Sequence, residues 1–253
     1  MKQAPECLSI LGPDGHQDRR VPPVSDIQPH MRIRRPVTHV VFDLDGVLLD
    51  TERFYTEATQ AIVGRYGKTF DWSIKGNMVG RAAIESARYL IKALDVPMTP
   101  EEFLQERGLL LEQLVPNSQP MRGARELTFA LAARNVPQCI ATSSDRRLYE
   151  LKTQHHREWF RVFSAVISGD DDRLRRGKPA PDIFLLAAQE LDVDPSRCVV
   201  IEDSPAGIVA AHAAGMQAIA VPDPAMDHSR FDDADLILGS LTELSPGDLG
   251  FEP

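Results

Sequence analysis

The chain has 253 residues, 43% of them apolar, and a formal net charge of −9. Apolar content at this level builds a sizeable core and excludes general disorder, while the acidic balance argues against nucleic acid or an anionic membrane as the main partner. No run reaches the roughly 18 apolar residues of a membrane-spanning helix, so no membrane partner is expected. Taken in chain order, residues 1–36 carry Pro, Arg, Gln and three aspartates (Asp14, Asp18, Asp26) without periodicity, and they read as a flexible tail without a signal-peptide segment, Met31 being an alternative start. His39–Phe42 is a short apolar run that stops at Asp43-Leu44-Asp45-Gly46, the pattern of a buried parallel strand closed by a turn. Similar runs follow at 138–142, 165–168, 198–201, 217–221 and, weakly, 235–238. Helical patterns at 123–135, 182–191 and 205–214 separate most of them. This alternation predicts an α/β fold: a Rossmann-like parallel sheet with helices on both faces.

One connection departs from that pattern. Roughly 90 residues separate the first strand from the second, where about 2–6 would serve. The segment carries helical stripes of its own: Phe54, Ala58, Ile62 and Tyr66; Ile84, Ala87, Ile91 and Leu94; Phe103, Leu110, Leu111 and Leu114. Thr99-Pro100-Glu101-Glu102 has the form of a helix start with a capping box. Residues 51–117 therefore read as a helical cap domain inserted into a core domain made of 37–50 and 118–253. Open α/β sheets bind ligands at the carboxyl ends of their strands, so the insert would lie over the site. Of the three cysteines, Cys7, Cys139 and Cys198, the last two sit in apolar runs and read as core thiols. The odd count gives no disulfide framework, which suits a reducing, cytoplasmic compartment.

Two pairs of carboxylates stand where strands end. Asp43 and Asp45, two residues apart in extended chain, point to one side, and a divalent cation would relieve their crowding. Taken alone the pair would also fit an Asp-rich surface turn. Glu202-Asp203 closes a second strand, where Asp203 or Ser204 could equally cap the helix that begins at Pro205. Thr142, Ser143 and Ser144 end a third strand with hydroxyls and backbone N–H groups suited to phosphate oxygens, and equally to capping. Lys178, stiffly presented between Gly177 and Pro179, could hold phosphate or balance a nucleophile. Together these parts suit phosphoryl transfer, in which an aspartate takes the phosphoryl group and a second carboxyl moves the proton.

Phe42 to Glu52 resembles the first motif of the haloacid dehalogenase-like hydrolase superfamily, with Thr142, Lys178 and Glu202-Asp203 resembling its second, third and fourth, in order, over Val37 to about Leu241. The resemblance implies a phosphatase. Asp43 would be nucleophile and Mg2+ ligand, and Asp45 general acid/base and a ligand through its carbonyl. Asp203 would be a further ligand, with Glu202 ligating or supporting it. Thr142 and Lys178 would hold the phosphoryl group, helped by backbone N–H groups near Leu44 and Ser143, with Ser144 beside them, and the insert would hinge near Asp50-Thr51. Namesake dehalogenases lack an aspartate at the position of Asp45, which disfavours that activity. Further stretches, among them Leu151-Lys152-Thr153 and Ser168-Gly169-Asp170-Asp171, resemble pseudouridine-5'-phosphatases and glycerol-3-phosphatases alike. The implied substrate is a small phosphorylated metabolite: pseudouridine-5'-phosphate, glycerol-3-phosphate or a sugar phosphate. Lys75 and Arg81 are either substrate-reading residues or solvated cations, and His155 and His156 read as structural or exposed. The alternatives are a sugar phosphomutase of the β-phosphoglucomutase type, built on the same core motifs, and a non-catalytic binding protein. A monomer is expected.

Overall fold

The computed structural model describes residues 35–78 and 83–251, so the tail up to residue 34 and Arg81 lie outside the described residues. In chain order the elements are β1 (His39–Phe42), β2 (Leu49–Asp50), α1 (Glu52–Gly64), α2 (Trp72–Lys75), α3 (Ala83–Leu94), α4 (Pro100–Leu114), β3 (Gln119–Pro120), α5 (Ala124–Ala132), β4 (Gln138–Ala141), α6 (Arg146–Thr153), α7 (Arg157–Phe160), β5 (Ala165–Ile167), α8 (Asp182–Glu190), β6 (Cys198–Glu202), α9 (Pro205–Ala213), β7 (Gln217–Ala220) and β8 (Leu236–Ile237). Six strands form one parallel sheet in the order β5-β4-β1-β6-β7-β8. Strand β1 is central, and its side chains feed two cores. Val40 and Phe42 pack with Leu127, Leu131 and Trp159 on one face. Val41 packs with Cys139, Val200 and Phe184 on the other. Burial on both faces is why these strands read as unbroken apolar runs. Burial also pushes the thiols of Cys139 and Cys198 up to about 12, so both are inert core groups.

Strand ends differ from the expected ones by a residue. Thr142 and Val221 leave the strands but still donate to the neighbouring ladder, at Ile167 O (3.0 Å) and Glu202 O (2.7 Å). Strand β6 runs one residue further than expected and takes Glu202 into the sheet. Phe42 lies opposite Ile140 and Ile201, so Asp43 emerges beside the carboxyl ends of β4 and β6. That register builds the site.

Helices α1 to α4 fill the long connection around a core of their own, including Ile62, Leu90 and Phe103. The two ends of the segment are tied by β2 and β3, paired antiparallel with Leu49 opposite Pro120, a contact absent from the sequence reading. Thr99 caps α4 in a full capping box with Glu102, as the sequence predicts. One stripe needs correction. Tyr66 falls beyond the end of α1 and is 37% exposed, because the chain turns out of the helix through Gly67 at φ +68°. On α3 Ala87 and Leu90 are fully buried and Ile91 and Leu94 pack half-buried against the same core; Ser86 joins them, tolerating burial by donating to Met78 O (2.9 Å).

Candidate active site

The site begins where β1 ends. Asp43 is buried and its Oδ2 accepts from the Asp45 N–H (2.9 Å). Gly46 then turns the chain at φ +74°, and a Cβ there would overlap the Asp203 carboxylate. Only glycine lets the β1 turn and the end of β6 approach this closely. At Gly207, in the first turn of α9, a Cβ would overlap Glu202 in the same way.

Each aspartate of the first pair has its own lysine. Lys178 Nζ lies 2.5 Å from Asp43 Oδ1 and 2.8 Å from Glu202 Oε1, and donates to Ala141 O (3.1 Å). Burial alone would favour neutral lysine, but the two carboxylates outweigh it and hold Lys178 above its ordinary value. Asp43 goes the other way: burial pushes it up to about 7, with Glu202 and Asp45 adding to the shift and Lys178 opposing it. Lys152, on α6 and fully buried, lies 2.5 Å from Asp45 Oδ1. It also donates to Ser144 Oγ (2.6 Å) and Tyr55 Oη (3.3 Å). Asp45 further accepts from Thr51 (2.5 Å), Ser144 (2.9 Å) and Thr142 (3.3 Å). Burial works against charge on Asp45, yet Lys152 and these hydroxyls hold its carboxyl below the ordinary range.

The hydroxyls of Thr142 and Ser144 thus face Asp45, while Ser143 is exposed on the cavity wall. Leu44 is wholly buried in the core between the two aspartates. Glu202 spends both oxygens, one on Lys178 and the other on the backbone N–H (2.7 Å) and hydroxyl (3.0 Å) of Ser204. Ser204, not Asp203, caps α9, through Gly207 N–H (3.1 Å). Asp203 makes no ion pair among the described residues, and burial, then Glu202 and Asp43, raises it well above the usual carboxylate range. Four carboxylates (Asp43, Asp45, Glu202, Asp203) therefore meet two ammonium groups (Lys152, Lys178). If all ionise, two negative charges remain, which is the charge of one divalent cation. Among the described residues no three acidic, His or Cys side chains form a closed metal cluster. Asp43 and Asp203 with backbone and water is a donor set of the open, oxygen-rich kind Mg2+ accepts.

Above the strand ends lies a cavity of about 550 Å³. Its floor includes Asp45, Ser143, Ser144 and Asp203, and its far wall comes from the insert: Tyr55, Phe70, Trp72, Lys75 and Arg107. Lys75 is already engaged, by Glu52 (3.1 Å), Thr56 (3.1 Å) and the Trp72 ring (4.7 Å). His155 is exposed, and His156 bonds Ser118 O (2.8 Å) against Trp159.

Two cations of the site carry no role in the sequence reading. Lys152 stands four residues after the cavity-lining Leu148, on the helix that follows Ser144. Arg107 interrupts the buried spacing Phe103–Leu111 at its midpoint. A cation on an apolar stripe is the signal that would have found both.

Residues 37–215 match the family described as haloacid dehalogenase-like hydrolase. The chain is 46% identical to (DL)-glycerol-3-phosphatase 2 of Arabidopsis thaliana, over 87% of this chain and 94% of that one. It is 44% identical to a probable pseudouridine-5'-phosphatase of Drosophila melanogaster, over 87% and 96%. Among solved structures, a HAD family hydrolase of Deinococcus radiodurans with bound phosphate and sodium superposes with a TM-score of 0.68 at 30% identity, covering 85% of this chain and 97% of that one. CbbY of Rhodobacter sphaeroides, at 24% identity and a TM-score of 0.72 over 84% and 99%, shares the fold. With sequence, fold and strand-end residues in agreement, the chain belongs to the haloacid dehalogenase-like hydrolase family and is an enzyme of its phosphatase kind.

Proposed function

We propose that the chain is a Mg2+-dependent phosphatase that hydrolyses a small phosphorylated metabolite through an aspartyl-phosphate on Asp43. The observation that carries this reading is the separation of the two aspartates. Asp43, beside Lys178 at the mouth of β1, is placed to attack. Asp45 is held apart by Lys152 as a carboxylate able to accept a proton. In the first step an Asp43 oxygen bonds to phosphorus, the bond from phosphorus to the ester oxygen breaks, and the departing oxygen takes a proton that Asp45 has first accepted from the singly protonated phosphate of the ester. In the second, water attacks the same phosphorus, Asp45 takes the water's proton, and the bond to Asp43 breaks to release inorganic phosphate. Lys178 offsets charge beside the nucleophile, and Ser143 borders the space the phosphoryl group would enter. Asp43, Asp203 and the Asp45 carbonyl would hold Mg2+, with Glu202 supporting through Lys178 and Ser204. When bound, the ion supplies positive charge against the phosphoryl oxygens.

The names of the relatives support glycerol-3-phosphate and pseudouridine-5'-phosphate as candidate substrates, with sugar phosphates beside them. The free thiols support a reducing compartment such as the cytoplasm, no described helix is long and apolar enough to cross a membrane, and we take the protein as a monomer. The division into tail, core and helical cap at 1–36, 37–50 with 118–253, and 51–117 belongs to the same proposal, supported by the separate core of the insert. Phosphate release from a panel of these esters, with Mg2+ and with excess EDTA, tests the reading. Release from one ester that EDTA abolishes is expected, and activity that survives the chelator would contradict the metal assignment.

A further inference from the structure

Resting on the phosphatase reading, we propose that Arg107 is the specificity residue of this site. With the rings of Tyr55, Phe70 and Trp72 it forms a subsite for a planar, carbonyl-bearing group on the alcohol half of the phosphate ester. Two cations line the cavity among the described residues, Lys75 and Arg107. Lys75 is neutralised by Glu52. Arg107 has no carboxylate within hydrogen-bond distance among the described residues, and its guanidinium lies 5.3 Å from the Phe103 ring centre and 5.7 Å from that of Tyr55. A largely desolvated guanidinium without an acceptor is costly, and a ligand would supply what is lacking. The guanidinium's forked donors match paired acceptors, and the two rings beside it limit where it can move.

The surroundings decide which acceptor. Asp145, Asp170 and Asp223 also line the cavity, so a second negative charge on the ligand is repelled and neutral carbonyl oxygens are favoured. Tyr55, Phe70 and Trp72 offer apolar and aromatic surface on which a flat ring packs well. A cavity of about 550 Å³ falls in the roughly 300–1,000 Å³ range that accommodates ligands much larger than glycerol. The class that fits is a 5'-monophosphate of a pyrimidine-like nucleoside, its sugar spanning floor and wall.

The test compares the unaltered full chain with Arg107→Met and Arg107→Lys. The quantity read is the ratio of kcat/KM on pseudouridine-5'-phosphate to that on glycerol-3-phosphate, both with Mg2+. Beryllofluoride binding with Mg2+ is measured on all three proteins to report the strand-end floor. The unaltered chain is expected to favour the ring-bearing ester. Arg107→Met should lower the ratio about 10- to 100-fold, mainly through KM, as for loss of hydrogen bonds to a charged group. Arg107→Lys should fall in between. A preference for glycerol-3-phosphate in the unaltered chain, or an unmoved ratio in Arg107→Met with beryllofluoride still bound, overturns the subsite and leaves the phosphatase standing. An unaltered chain that binds no beryllofluoride and cleaves neither ester brings down the phosphatase reading and this inference with it.

Discussion

The strand-end floor and the helical insert treat charge in opposite ways. On the floor, Lys178 and Lys152 are buried, and each is locked to a carboxylate at 2.5 Å. Such pairs are costly to assemble and more costly to break, because removing one partner strands the other in a poor solvent. The insert keeps its carboxylate pairs nearer water: Arg65 meets Glu106 at 52% and 33% side-chain exposure, and Lys75 meets Glu52 at 13% and 34%. Arg107 is left facing the cavity. The floor is thus organised around groups that must hold one geometry through a reaction. The insert offers rings and a guanidinium that has no carboxylate partner among the described residues, which suits selecting a ligand. Substitutions on the floor should therefore change chemistry and stability together, and those in the insert should separate the two.

The largest effect is expected at Asp43. Asp43→Asn removes the nucleophile while keeping its size, and turnover should fall by about 10⁴-fold or more. Near-normal phosphate release from this variant would end the mechanism. Next comes Lys152→Met. It leaves Asp45 without its cation, and urea denaturation should show a loss of about 3–5 kcal/mol. Turnover should drop toward that of Asp45→Asn, roughly 10²–10⁴-fold below the parent. The double variant Lys152→Met with Asp45→Asn should regain part of the lost stability, because the stranded charge is gone; strictly additive losses would show that the two side chains do not act as a pair. The smallest effect lies in the insert. Thr99→Ala deletes the capping box of α4 and should cost about 1 kcal/mol in the same denaturation experiment, with kcat unchanged. A matching fall in kcat would mean that the insert and floor are not separable in this sense.

Local patterns in the sequence were enough for the parallel sheet, the inserted helices, the start of α4 and the acidic residues at two strand ends. Each depends on neighbours within a few positions: an apolar run of strand length, a Thr and Glu three apart, an aspartate where a run stops. Tyr66 was misplaced on its stripe because the turn at Gly67 takes the chain out of the helix before it, overriding hydrophobic spacing. Lys178 was already a candidate partner of the nucleophile, and the tertiary structure set it between Asp43 and Glu202; the tertiary structure alone assigned Lys152 to Asp45 across 107 positions. It also turned the hydroxyls of Thr142 and Ser144 onto Asp45 and left Arg107 facing the cavity. The reason is physical. A buried charge takes the partner that sheet register and helix rotation bring within a few ångströms, and neither quantity is written in the residues beside it.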